Sequence, residues 1–156
     1  MADYTRRFTE EHRIDDIDPD GYANTTVATS WISMRDYHRA VAMVRVGDMG
    51  AGATVDMELQ QATDSSGSNG KTLVSGNGQT KEITQLTQAG GDANASPSVI
   101  ELQTEEMDVA NEFDYVRAVV TIVGTGVYLY ANLLRTISRF PPVDASNLQE
   151  VIAAAP

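Results

Sequence analysis

From Thr54 to Gln60 the chain alternates, with Val55, Met57 and Leu59 set against Thr54, Asp56, Glu58 and Gln60. A period of two gives a strand one buried and one wet face, and gives a helix no apolar stripe. The run before it behaves alike. Ala40, Ala42, Val44 and Val46 point one way, and Val41, Met43 and Arg45 the other. Gly47, Gly50 and Gly52 lie between the two runs, where the chain can reverse at low steric cost. Residues 37–63 therefore predict two β-strands joined as a hairpin by a glycine-rich turn.

The same reading extends along the chain. Asn24–Met34 is rich in β-branched residues and suits a strand. Leu73-Val74, Glu82–Gln88 and Ser98–Gln103 predict short strands, with polar loops at 64–81 and 89–97. Acids follow Thr104 closely, as in a single helical turn. Phe113–Val123 and Val127–Ile137 flank Gly124-Thr125-Gly126 and predict two partner strands, which Pro141-Pro142 ends. Seven or eight strands and almost no 3.6-residue period imply an all-β fold, an antiparallel β-sandwich of jelly-roll-like form. The expected organisation is an N-terminal arm at 1–22, a β-sandwich domain at 23–141, and a C-terminal arm or short helix at 142–156. The first 22 residues are polar and charged, and Pro19-Asp20-Gly21 is turn chemistry.

Composition narrows the function. The net charge is −11, and residues 47–112 carry eleven acids against two lysines. Such a surface repels phosphate backbones, which argues against direct nucleic-acid binding. No apolar run reaches 18 residues, so no membrane span is expected. MADYTRRFTEEHRIDD contains no apolar segment of the secretory kind, so export is not expected. There is no cysteine, which excludes disulfides, thiolate metal sites and cysteine nucleophiles.

Motifs that could carry chemistry fail on spacing. Gly47-Asp-Met-Gly50-Ala-Gly52 is not G-x-G-x-x-G, and a strand follows it where pyrophosphate binding needs a helix. Asp16-Ile-Asp18-Pro-Asp20-Gly21 opens like a calcium loop, but its twelfth position is Val27 and not a glutamate. His12 and His38 are the only histidines and lie in no metal-ligand spacing. No G-x-S-x-G elbow occurs. The adjacent acids Asp15-Asp16 and Glu105-Glu106 read as solvated pairs. The expectation is a protein without catalytic, cofactor or metal residues.

An ordered set of phrases carries a resemblance. It comprises Trp31-Ile-Ser-Met with Tyr37-His38-Arg39, ATVDMELQQATDSSG at 53–67, KEITQLTQAG at 81–90, EEMDVAN at 105–111, and FDYVR at 113–117. Together, across about residues 25–141, they resemble small virion proteins of tailed bacteriophages, typically encoded near the major capsid protein. The resemblance implies a head decoration (cement) protein or another structural part of the particle. It implies no catalytic residues. It further implies location on the virion, at the capsid surface, after assembly in the bacterial host cytoplasm.

The leading expectation is a capsid decoration protein that binds the outer surface of the head and stabilises it against internal DNA pressure. Its partners would be the major capsid protein and itself. A homotrimer is expected from symmetry matching, because one trimer satisfies three equivalent sites at once. The contact residues expected are Arg6, Arg7, Phe8 and Arg13 in the arm, with Trp31 and Tyr37. Trp31, the sole tryptophan, reads first as core beside Ile32 and Met34, with a subunit contact as the sharper alternative. The alternatives are a tail or neck structural protein, and a carbohydrate- or host-receptor-binding β-sandwich with Tyr128 and Tyr130 as its platform.

Overall fold

The long strands over residues 37–49, 54–62, 115–123 and 127–138 each carry a mainly apolar buried row, and the fold sets those rows against one another. A computed structural model describes residues 12–139. Its strands are β1 (Arg13–Tyr22), β2 (Thr25–Ala28), β3 (Ile32–Ser33), β4 (Tyr37–Met49), β5 (Thr54–Ala62), β6 (Lys71–Thr72), β7 (Leu86–Thr87), β8 (Ser98–Gln103), β9 (Tyr115–Val123) and β10 (Val127–Ser138). Two short 3-10 turns, Thr104–Glu106 and Val109–Asn111, supply the helical turn expected after Thr104. One sheet runs β1-β10-β4-β8; the other runs β2-β9-β5-β6, with β3 also on β9 and β7 also on β5. The named pairings are all antiparallel. The fold is the expected antiparallel, jelly-roll-like β-sandwich.

The core lies between the sheets. Ala40, Ala42, Val44, Ala131 and Leu133 face Val55, Met57, Leu59, Val116, Ala118 and Val120, all at 0–1% exposure. Burying a leucine, valine or methionine side chain contributes about 1.5–3 kcal/mol each.

The central hairpin is not a hairpin. β4 and β5 belong to different sheets, because both edges of β4 are taken, by β10 and β8. The glycine-rich link is a corner that folds one apolar face onto the other. β9 and β10, expected as partner strands, make a second such corner at Gly124-Thr125-Gly126. The alternation of buried and wet residues is the same for a hairpin and for a corner.

The two corners lock together. The Gly50 N–H donates to the Gly126 carbonyl at 2.9 Å, and the Thr125 hydroxyl donates to the Ala51 carbonyl at 3.2 Å. Gly124 has φ +96°, and a Cβ there would lie 3.0 Å from the Ala53 Cα.

Residues 13–22 correct the expected arm boundary. They form an edge strand, with Ile14 opposite Leu134 and Gly21 opposite Tyr128. The expected Pro-Asp-Gly turn is a bulge within it, between Ile17 and Asp20. Pro19 fits there because a bulged position spares it a ladder bond. Across β10, β4 carries a matching irregularity between Val46 and Met49. The arm at 142–156 and the first eleven residues lie outside the described residues.

The corner makes a measurable claim. Gly124→Ala should lower the unfolding free energy by about 1–3 kcal/mol, through the positive φ and the approach to Ala53. Gly126→Ala, where a Cβ meets nothing within 4 Å, should change it by less than about 0.5 kcal/mol. Urea unfolding midpoints at constant slope read the difference.

Candidate functional site

Among the described residues, three regions outside the buried core are candidates for a functional surface. The first is the end of the sandwich opposite the glycine corners. Arg13 and Arg135 are cross-strand neighbours there. Arg135 is 9% exposed; its Nη1 donates to the Ser33 carbonyl at 3.0 Å and its Nη2 reaches Asp15 Oδ2 at 3.4 Å. Its guanidinium lies 4.9 Å from the Tyr37 ring centroid. Burial pulls the Arg135 pKa down, against the opposing charge of Asp15. Burial also raises the Tyr37 phenol. Tyr37 is 4% exposed, and its carbonyl accepts the Thr104 hydroxyl at 2.7 Å. Tyr37, expected at a contact surface, is thus a packing residue of this chain. Arg13 is half-buried on the inward row beside Arg135. Arg6, Arg7 and Phe8 lie outside the described residues.

The second region closes the open side of the sandwich. Lys81, whose carbonyl accepts the Leu59 N–H of β5 at 2.8 Å, donates through Nζ to the Glu101 carbonyl on β8 at 3.0 Å and pairs with Glu106 Oε1 at 2.7 Å. Glu106 Oε2 accepts the Gln103 N–H at 2.8 Å. Burial pushes the Glu106 pKa up, but the Lys81 hydrogen bond, the Gln103 N–H and the Lys81 charge together hold it below the ordinary glutamate value. One lysine therefore ties the edges of both sheets and occupies a carbonyl that a foreign strand could use.

Trp31 is neither core nor free surface. The break between β2 and β3 turns it outward. Its ring is covered by the Arg117 guanidinium, 4.4 Å from the centroid, and by the loop at Gly67 and Gly70. Arg117 also holds Gln60 Oε1 through Nε and Nη2, at 3.0 and 2.7 Å. The polar row on β5 is engaged as well, with Asp56 accepting from Gln85 at 2.8 Å and Glu58 from Thr72 at 3.2 Å. This face of the second sheet is built over.

The third region is the outer face of the first sheet. The registers place Leu134 beside Val41, and Asn132–Met43–Val99 in the next row. Val99 is 51% and Tyr128 64% exposed. Val41, Met43, Leu134 and Tyr130 are half-buried. Arg39, Arg45, Glu101 and Asp16 border this apolar field and are exposed. At one end a groove of about 310 Å³ runs between Pro19, Arg45 and the two tyrosines. A Cβ on Gly21 would meet the Tyr128 ring at 3.3 Å, so the ring rests on the backbone of β1. At the other end a cleft of about 440 Å³ is lined by residues that include His38, Arg39, Ile137 and Arg139.

Asp16, Asp18 and Asp20 lie along β1 and its bulge, not around a loop centre. Among the described residues no group of three His, Asp or Glu is placed to hold a metal ion. Lys81, Arg117 and Arg135 were not legible as a set, because register alone brings each to its partners. The outer apolar field could have been found from Val41, Met43, Val99 and Leu134, had the pairing of β4 with β8 and β10 been known.

No protein-family model and no curated protein matches this chain. Several solved structures have a similar strand arrangement. The empty capsid of Triatoma virus is 8% identical, over 88% of this chain and 95% of that one, with TM-score 0.44. A Bacillus endospore appendage, of the disulfide-linked pili, is 13% identical over 87% and 98%, with TM-score 0.31. The SPBc2 prophage-derived protein YomS is 12% identical over 76% and 96%, with TM-score 0.34. Likeness at this level carries no function across.

The Lys81 strap should show in acid. A carboxyl held below its unfolded pKa adds stability that is complete above the ordinary glutamate value and lost as pH falls through the folded one. Thermal unfolding between neutral pH and pH values below 4.5 should therefore show a smaller acid loss for Glu106→Gln than for the wild type, with Glu106→Gln already less stable at neutral pH.

Proposed function

We propose that this protein is a structural component of a tailed-phage particle, a decoration protein on the outer surface of the head. The sequence phrases across residues 25–141 support this reading, and one observation of the fold carries it. The outer face of the β1-β10-β4-β8 sheet presents Val41, Met43, Leu134 and Val99, around Asn132, as an apolar patch with a charged border. A contiguous apolar field rimmed by charge is the usual form of a protein-contact surface. The opposite sheet is covered by its own loops. In this reading the field seats on the major capsid protein, the protein acts as a homotrimer, and repetition over the shell multiplies a modest contact. It reinforces the shell against internal DNA pressure after assembly in the host cytoplasm.

Leu134→Asp and Met43→Glu place charge in the field without touching the core between the sheets. Either variant should fold with the wild-type Trp31 emission and fail to bind particles that lack the protein, with affinity down by about a hundredfold or more. Undiminished binding by both variants would overturn the surface. Particle reconstruction reads the location: hundreds of copies on the shell support decoration, and a few tens at the tail or neck replace it with that alternative.

A second reading, recognition of a host glycan, is favoured by Tyr128, which is 64% exposed and whose ring is braced on Gly21. An aromatic platform beside Asp20 and Arg45 offers both an apolar surface and hydrogen-bonding groups. It predicts glycan-array binding that Tyr128→Ala removes; a blank array rejects it.

A further inference from the structure

We propose that the cleft at His38, Arg39, Ile137 and Arg139 receives the acidic edge strand β1 of a second copy, so that copies join head to tail into a closed ring. The proposal rests on the homotrimer of the proposed function and names the two surfaces that would form it.

The cleft is unusual in this chain on three counts. It is basic in a protein of net charge −11. Among the described residues Arg35, Lys71, Lys81 and Arg135 form ion pairs with Asp114, Asp108, Glu106 and Asp15, and Arg117 is held by Gln60. Arg39 and Arg139 are exposed and form no such pair within the described chain. They face the cleft with His38, and Glu105 is the acid in its wall. The cleft is also partly apolar, since Ile137 is 47% and Val109 50% exposed in its lining. Finally, Ile137 has φ +56°. A β-branched residue rarely adopts that region, and such strain persists where the surroundings or a partner require it.

The occupant follows from charge and shape. β1 is an extended edge strand, bonded on one side only, to β10. Asp16, Asp18 and Asp20 are exposed along it and pair with no cation among the described residues. A narrow acidic ribbon with a free main-chain edge suits a cleft of arginines with aliphatic patches. A chain cannot fill its own cleft with this ribbon, because Arg13–Tyr22 is laid along β10. Cleft and ribbon are different patches, so the contact is heterologous, and repeated contacts close into a ring when the rotation allows.

Charge exchange tests this on the full chain. Sedimentation equilibrium should show a concentration-dependent oligomer at low salt that weakens about tenfold or more in about 0.5 M NaCl. Arg39→Glu with Arg139→Glu should raise the dissociation constant by about a hundredfold or more, as should Asp16→Lys with Asp18→Lys and Asp20→Lys. Mixed in equal amounts, the two reversed proteins should associate again, since each complements the other. The neutral pair Arg39→Gln with Arg139→Gln should give an intermediate loss, and stands in if a reversed protein does not fold. A monomeric wild type overturns the proposal, and points to the chain's own residues 140–156 or another protein as occupant. An oligomer that survives both reversals also overturns it, while leaving the trimer intact. Failure of the mixture to reassociate overturns it as well. None of these results bears on whether the protein sits on a phage head, which particle binding reads separately.

Discussion

The interlocked pair of glycine corners is the constraint on which the sandwich depends. Each corner carries the chain from one sheet to the other. Because β4 pairs with β10 and β5 with β9, the corners must stack at the same end. The Gly50 to Gly126 bond and the Thr125 to Ala51 bond fix that stacking. Once they are set, the apolar rows of four long strands face one another without further adjustment. The small residues on those rows, Ala40, Ala42, Ala118 and Ala131, let methionine and leucine fill the space between the sheets. Packing at crystal-like density needs such alternation of small and large side chains.

A sandwich held at one end by corners has to be held differently elsewhere. At the far end a buried arginine does it, reaching from β10 to a β3 carbonyl and a β1 carboxylate. Along the open side Lys81 does it, reaching from one sheet's margin to the other's. Both are long cationic side chains that satisfy main-chain carbonyls. Their value lies less in ion-pair energy, which is modest near a surface, than in leaving few main-chain groups unmet. With these ties in place one sheet face keeps an uncovered apolar patch, and the opposite one is roofed by Trp31, Arg117 and the Gly67 loop. That asymmetry is what gives the molecule a surface to use.

The alternation at 37–63, 113–123 and 127–137 made the strands and their buried rows legible, because period two depends only on which side faces water. Partnership was not legible. Val55, Met57 and Leu59 alternate identically whether their strand lies beside β4 or across the core from it. The choice is made by which edges are already occupied, and those partners are far away in sequence. The segment 13–22 was misread for a related reason. Its acids and Pro19 look like a loop, yet acids and a bulged proline are what an edge strand carries on its free side. Trp31 and Tyr37 stood out as aromatic residues, but only register shows one lying under an arginine on the outer face and the other enclosed in the core. The cleft arginines carry no local pattern at all, since β4 and the end of β10 bring them together.

The pairing of β1 with β10 has a consequence for synthesis. Of the described strands, the first to emerge from the ribosome, β1, is hydrogen-bonded in the finished protein to the last, β10. At about 5–20 residues per second, roughly a hundred residues of translation separate the two, so β1 waits several seconds for its partner. The same delay applies to β2, whose partner β9 begins at Tyr115. Topologies of such long sequence separation fold slowly. A waiting strand of apolar residues would invite the wrong neighbour. Asp15, Asp16, Asp18 and Asp20 put charge along this one, which is how edge strands commonly avoid pairing with the wrong chain.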